Sequence, residues 1–176
     1  MMIYALVHYP KVETRLIDQL RQKYDPQFAL IDPHITVMFP VRDSIDGNGL
    51  VTHLERVLSD YRAFPIRIQG LQRSWDDCLF LLVREGSSEI VRLHNRIYTG
   101  ILADYKNSDI KFVPHLTLGA FDKDAARYAQ ALSAAKALAL DYRCVMDKLD
   151  LVKINDERTR IVWSREFVFK QRDRPT

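Results

Sequence analysis

Pro33-His34-Ile35-Thr36, followed by Val37-Met38-Phe39, returns later in the chain as Pro114-His115-Leu116-Thr117, followed by Leu118-Gly119-Ala120-Phe121. Both copies read Pro-His-apolar-Thr-apolar. The β-branched and apolar run predicts a strand in each. Side chains on a strand alternate between faces, so His and Thr share one face while Ile35 or Leu116 anchors the other. Each copy therefore offers an imidazole beside a hydroxyl. Two such strands facing one another would form a pocket of two imidazoles and two hydroxyls. One imidazole can take a proton from water while the other gives one to a leaving oxygen. The hydroxyls can hold the non-bridging oxygens of a phosphate between them. An isolated His-x-Thr reads as a structural strand residue; the repetition, with the same preceding Pro, favours chemistry.

The elements around the tetrads repeat as well. Residues 3–9 are nearly all apolar and predict a strand buried on both faces, ended by Pro10. A helix is predicted over 12–24, with Val12, Leu16, Leu20 and Tyr24 on one stripe, stopped by Asp25-Pro26. The first tetrad strand, 34–39, closes at Pro40. A loop over 43–49, a helix over 50–61 and a strand over 64–71 follow. The pattern then restarts: a strand over 78–83, a helix over 89–105, the second tetrad strand, an Ala-rich helix over 122–138 and a strand over 140–146. Strands over 149–154 and 159–169, joined by Asn155-Asp156-Glu157-Arg158, end the chain. Strand, helix, His strand, helix, strand thus occurs twice. This predicts an α+β fold in one domain spanning 1–176, with an internal repeat of roughly 2–71 and 78–169.

A chain of 176 residues with 47% hydrophobic content is an ordinary globular one, not a disordered one. A net charge of +3 permits a phosphate-bearing ligand without arguing for a surface that wraps nucleic acid. Cys78 and Cys144 form no metal or disulfide pattern and are expected as buried free thiols. No signal peptide or stretch of transmembrane length is evident, so no membrane association and a cytoplasmic setting are expected.

At the tetrads the sequence resembles the two-histidine (2H) phosphoesterase superfamily, in the group of 2'-5' RNA ligases and RNA 2',3'-cyclic phosphodiesterases. That family is marked by a pair of His-x-Thr or His-x-Ser motifs, which His34, Thr36, His115 and Thr117 match. The resemblance covers residues 2 to about 169. It implies a duplicated fold of two antiparallel-sheet lobes, helices outside and a cleft between. It also implies metal-independent opening of a 2',3'-cyclic phosphate on a nucleotide or RNA terminus, and possible reverse 2'-5' ligation. By analogy His115 is the base, His34 the acid and the product a 2'-phosphate; Thr36 and Thr117 bind phosphate oxygens. No cofactor or obligate protein partner is implied, and a monomer is expected.

Other candidates rest on position. Phe39 and Phe121, just beyond the tetrads, are placed to stack on a base or to fill the core, with core favoured for at least one. Tyr9, Tyr4 and Trp75 are weaker candidates. His8, at the end of the first strand, reads as a cleft-rim or an exposed strand-end residue; His53 and His94 read as surface or groove residues of helices. Lys11, Arg42, Arg73, Arg84, Lys111 and Lys153 are the basic candidates. Some relatives carry an Arg soon after the second motif, where this chain has Gly119 and Ala120. Clustered ligands for a catalytic zinc are missing from the sequence, as are a Gly-x-x-x-x-Gly-Lys loop and a nucleotidyl-lysine motif. The alternative to an enzyme is a nucleotide- or RNA-end-binding module of the same fold, which would have no need of a paired acid and base.

Overall fold

The computed structural model describes residues 2–42 and 45–171. Eight strands, β1 (Ile3–His8), β2 (Ile35–Arg42), β3 (Phe64–Arg73), β4 (Cys78–Val83), β5 (His115–Ala120), β6 (Asp141–Met146), β7 (Lys148–Ile154) and β8 (Ile161–Val168), form one sheet. The order is β6-β3-β4-β5-β2-β1-β7-β8, and each strand pairing along it is antiparallel. Four helices, α1 (Arg15–Tyr24), α2 (Gly47–Leu58), α3 (Ser87–Ile97) and α4 (Ala125–Leu138), alternate with the first strands. This is the expected α+β class with an antiparallel sheet. The two halves of the sheet are not separate, because β2 and β5 meet at Ile35 and Leu116 and join them. Nor do the halves follow chain order. β3 crosses to lie between β4 and β6, and β7 and β8 return to extend β1.

The strands at the sheet centre bury the face toward the helices, and β1 buries both. Tyr4 and Leu6 of β1, Ile35 and Val37 of β2, Leu79 and Leu81 of β4, and Leu116 and Leu118 of β5 pack with the helices in the main core. Ile3, Ala5 and Val7 of β1 join Val152, Ile154 and Ile31 in a second cluster. Full burial of one such side chain contributes about 1.5–3 kcal/mol. The helices are exchanged between halves: α1, which follows β1, packs on β5, and α3, which follows β4, packs on β2. Gly119 marks how closely α1 approaches. A Cβ there would stand 2.7 Å from the Tyr24 Cβ and 3.1 Å from the Tyr24 carbonyl oxygen.

Several boundaries differ from those expected, each for a local reason. β2 runs through Pro40 to Arg42. Between the pairs Tyr4–Val41 and Leu6–Met38 the ladder is irregular, and the Phe39 N–H goes to the Tyr98 hydroxyl at 3.0 Å instead. A proline is tolerated where the partner strand asks for no N–H. The expected loop over 43–49 falls partly on residues outside the described ones. Its end is already helical, because the Asp46 carboxylate accepts from the N–H groups of Asn48 and Gly49 and so caps α2 at Gly47. The helix expected over 89–105 ends at Ile97. Gly100, at φ +54°, turns the chain into a 3-10 segment, Gly100–Tyr105. Among the described residues no helix is long and apolar enough to cross a membrane.

Candidate active site

The pairing of Ile35 with Leu116 puts the two tetrads side by side at the centre of the sheet. Ile35 and Leu116 are buried under the helices, so their neighbours along each strand face the other way. His34, Thr36, His115 and Thr117 are all partly buried and line one cleft of about 1000 Å³. Carried one residue outward, the antiparallel register sets His34 across from Thr117 and Thr36 across from His115. The imidazoles thus occupy opposite corners of a four-residue square, with the hydroxyls at the other two. Diagonal neighbours in a ladder stand roughly 7–8 Å apart, room for a tetrahedral phosphate between them.

Both rings are oriented by the same device. The His34 Nδ1–H donates to the Asp32 carbonyl at 2.8 Å, and the His115 Nδ1–H to the Val113 carbonyl at 2.6 Å. A carbonyl only accepts, so Nδ1 carries the proton and Nε2 is left free for chemistry. The proline of each tetrad lies between the histidine and its acceptor. It fixes φ and pushes the preceding residue into an extended conformation, which presents that carbonyl to the ring. A β-bulge follows each hydroxyl. Leu6 and Val7 oppose Met38 and Thr36, leaving Val37 extra; Leu79 and Phe80 oppose Gly119 and Thr117, leaving Leu118 extra. Bulges bend a strand and re-aim its side chains, here at the rim of the cleft. The Val37 carbonyl accepts from the His94 Nδ1–H at 2.8 Å.

Burial pushes the His34 imidazole down from 6.5 to about 4; the charge of Arg21 and the facing His115 add to this, while the Asp32 hydrogen bond and Asp25 oppose it. His115 is also pushed down by burial, against its bond to Val113 and the nearby Asp76. Burial lowers His8 and His94 as well. The unfolded chain therefore takes up protons below about 6.5 that the folded protein refuses, down to about 4 at His34. The stability that the neutral rings confer is intact above 6.5 and is lost as pH falls through this window. The thermal midpoint should drop steadily from pH 6.5 to 4.5, and less steeply in His34→Gln. A flat profile over that range would contradict these values.

The other sequence candidates separate clearly. Phe39 is 44% exposed and stands edge-on to Phe112 at 5.9 Å on the cleft wall. Phe121 is buried between Tyr24 and Tyr128, so it is a core residue and does not reach the cleft. Tyr9 approaches the His34 ring edge-on at 6.4 Å; burial, with Asp150 and Asp32, pushes its phenol up to about 12. His8 is not at the rim. It is paired with Ile35, fully buried, and its Nδ1–H donates to the Lys148 carbonyl at 3.0 Å. Tyr4 is in the helix-side core, and Trp75 is an exposed cleft residue. His53 is buried rather than on the surface, with a ring N–H on the Ile97 carbonyl; His94, its Nδ1–H on the Val37 carbonyl, is also little exposed but lines the cleft, which fits the groove reading.

Of the basic candidates, Lys111 and Arg73 line the cleft, and Arg73 is held by Asp77 at 3.0 Å. Arg84 donates to the Gln69 carbonyl, Lys11 pairs with Asp147 and Lys153 lies over the Tyr4 ring. Cys78 and Cys144 are free and only partly buried, and burial pushes both thiols up to about 11. Among the described residues no group of three or more His, Cys, Asp or Glu is placed to hold a metal ion. The sequence reading missed Phe80, Phe112, Asp25 and Arg158 as cleft residues. Phe80 and Phe112 lie near the second tetrad along the sheet or the chain, but only the register reveals which face they take.

The sequence profile described as the 2'-5' RNA ligase superfamily matches residues 9–158. A Bacillus licheniformis protein named "Putative phosphoesterase" is 27% identical over 154 residues, covering 86% of this chain and 89% of its own. One of the same name from Geobacillus sp. strain WCH70 is 27% identical over 155 residues, covering 86% and 87%. Among solved structures, TT0787 of Thermus thermophilus is similar with a TM-score of 0.60 at 14% identity, covering 97% of this chain and 96% of its own. Apo LigT of E. coli aligns with a TM-score of 0.57 at 16% identity, covering 97% and 100%. LigT complexed with 3'-AMP and with NADP+ aligns at 0.54 and 0.56. These structural likenesses concern the fold.

Proposed function

The chain belongs to the 2'-5' RNA ligase superfamily, and on that premise we propose that it is a two-histidine phosphodiesterase that opens a 2',3'-cyclic phosphate on a nucleotide or RNA terminus. The observation that carries this is the square of His34, Thr117, His115 and Thr36, with each Nδ1 tied to backbone and each Nε2 free. Water attacks phosphorus in line with the departing ribose oxygen. One Nε2 accepts the proton of that water, and the other ring, protonated once the negative phosphate lies against it, delivers a proton to the leaving oxygen from across the phosphorus. The resemblance favours His115 as base and His34 as acid, which releases the 3'-oxygen and leaves a 2'-phosphate. A ribose 5'-hydroxyl in place of water, deprotonated by the same base, forms a 2'-5' bond as the 3'-oxygen leaves with a proton from the same acid; the roles exchange only when the 3'-hydroxyl attacks that bond and the 5'-oxygen departs.

Thr36 and Thr117 donate to the non-bridging oxygens, whose charge grows in the transition state. Phe39, with Phe112 behind it, gives a nucleobase a face to stack on, worth about 1–3 kcal/mol. The nucleotides in the LigT complexes and the phosphoesterase names of the relatives support this class of ligand. Metal independence, a monomeric state and a cytoplasmic setting are part of the same proposal.

The test is incubation with the four nucleoside 2',3'-cyclic phosphates and a short RNA ending in a cyclic phosphate, in excess EDTA, with 2'- and 3'-phosphate products resolved. Turnover to the 2'-phosphate is expected. Tight binding without turnover would instead make the chain a binding module. Thr36→Val and Thr117→Val should each lower kcat by about 10²-fold, the usual cost of removing one donor to a developing oxyanion. Steady-state kinetics check this; an effect confined to KM would contradict it.

A further inference from the structure

The two halves of the cleft differ at one matched position. Val7 opposes Thr36 just before the first bulge, and Phe80 opposes Thr117 just before the second. The Phe80 ring lies flat on the His115 imidazole, centroids 3.4 Å apart and planes 14° from parallel. His34 has no such partner among the ring contacts of the described residues: its aromatic neighbour is Tyr9, edge-on at 6.4 Å and 64°. We propose that Phe80 is a positioning residue for His115, fixing the plane of the ring and supporting its protonated form, so that the two histidines are not interchangeable.

The geometry supplies both effects. The bond from Nδ1 to the Val113 carbonyl holds one edge of the His115 ring but leaves it free to tilt about that bond. A parallel ring covering one face removes this tilt and keeps Nε2 aimed into the cleft. The face of a phenyl ring carries partial negative charge and attracts a cation laid against it. Imidazolium is such a cation, whether His115 begins the reaction protonated or becomes so on taking the proton of water. The other groups around His115 are Asp76 in the β3–β4 connection and His34 just before β2; Cys78 on β4, Lys111 before β5 and Asp25 after α1 line the same cleft. Of these, Asp76 also favours the charged ring.

This inference rests on His115 being one of the reacting pair, but its first test needs no substrate. The proton NMR titration of the His115 ring, assigned by its loss in His115→Gln, is followed in the wild type, Phe80→Leu and Phe80→Tyr. Leu keeps the cover and loses the aromatic face. Its titration midpoint should move to lower pH by about half a pH unit, with that of His34 nearly unmoved; Tyr should restore it. A Phe80 that merely shields His115 from water gives no movement, or a rise toward 6.5 to the extent that the smaller Leu uncovers the ring. A rise, or no movement, overturns the proposal.

With substrate, Phe80→Leu should lose about tenfold in kcat with KM unchanged, and Phe80→Tyr should recover most of it. A change in KM alone would make Phe80 a substrate contact and overturn its positioning role. Absence of turnover in every variant, wild type included, would sink the enzymatic reading, and the titration would still decide Phe80.

Discussion

Replacing either histidine of the proposed acid–base pair, by His34→Ala or His115→Ala, should lower kcat on a 2',3'-cyclic nucleotide by about 10³-fold. A positioned acid or base contributes typically about 10²–10⁴-fold. In the proposed mechanism the two proton transfers belong to one displacement, so the double variant should be little worse than the poorer single one. Each ring is held by its own strand, through the carbonyl two residues before it. Loss of one imidazole therefore leaves the other in place, and the circular dichroism of the variants should match the wild type. Rates measured with excess substrate and EDTA check this. Single variants that retain more than about a tenth of the activity would show that the tetrads are structural.

Arg21→Met should cost about 3–5 kcal/mol of stability. Arg21 is 1% exposed, yet it carries a charge on the buried face of α1. Its Nε donates to the Asp25 carboxylate at 2.8 Å, and its Nη2 to the Ile31 carbonyl at 2.7 Å. Removing the guanidinium leaves a carboxylate buried without its cation, which is the costly way to break such a pair. Urea unfolding should show the loss directly, and Arg21→Met/Asp25→Leu should regain much of it, because both charges then leave together. The site should feel the single change too. Arg21 pins the segment running from Asp25 to Ile31, and the next residue, Asp32, supplies the carbonyl that orients His34. A loss below about 1 kcal/mol would mean that water reaches Asp25 and that the pair is not a buried clamp.

The tetrads were legible because their chemistry is local. Pro-His-x-Thr states a strand, a shared face and two functional groups within four residues, and its repetition supplies the pairing. The order of strands and helices was legible for the same reason: Leu16, Leu20 and Tyr24, or Ile90, Leu93 and Ile97, declare a buried helical face by spacing alone. What the sequence hid was register. No residue type announces the bulges at Val37 and Leu118, yet these decide that Phe80 faces His115 and that Phe39 reaches Tyr98 and the cleft. His8 was misplaced by the same ignorance. Counting along β1 cannot show that it opposes Ile35 and so turns toward the helices. Phe121 went to the core because α1 packs on β5 rather than on β1, an exchange between halves that local pattern does not record. Gly119, which stands near where some relatives carry an arginine, is accounted for by the close approach of Tyr24.

In the proposed mechanism water attacks phosphorus between the two histidines. The measurement that tests it most directly is turnover of a nucleoside 2',3'-cyclic phosphate in ¹⁸O-labelled water with excess EDTA, with the product analysed by mass spectrometry. The expected product is a 2'-phosphate carrying one ¹⁸O, on the phosphoryl group, formed by the wild type and lost in both histidine variants. Label in the ribose, turnover that requires added metal, or a nucleotide that binds in the cleft and is returned unchanged would contradict it.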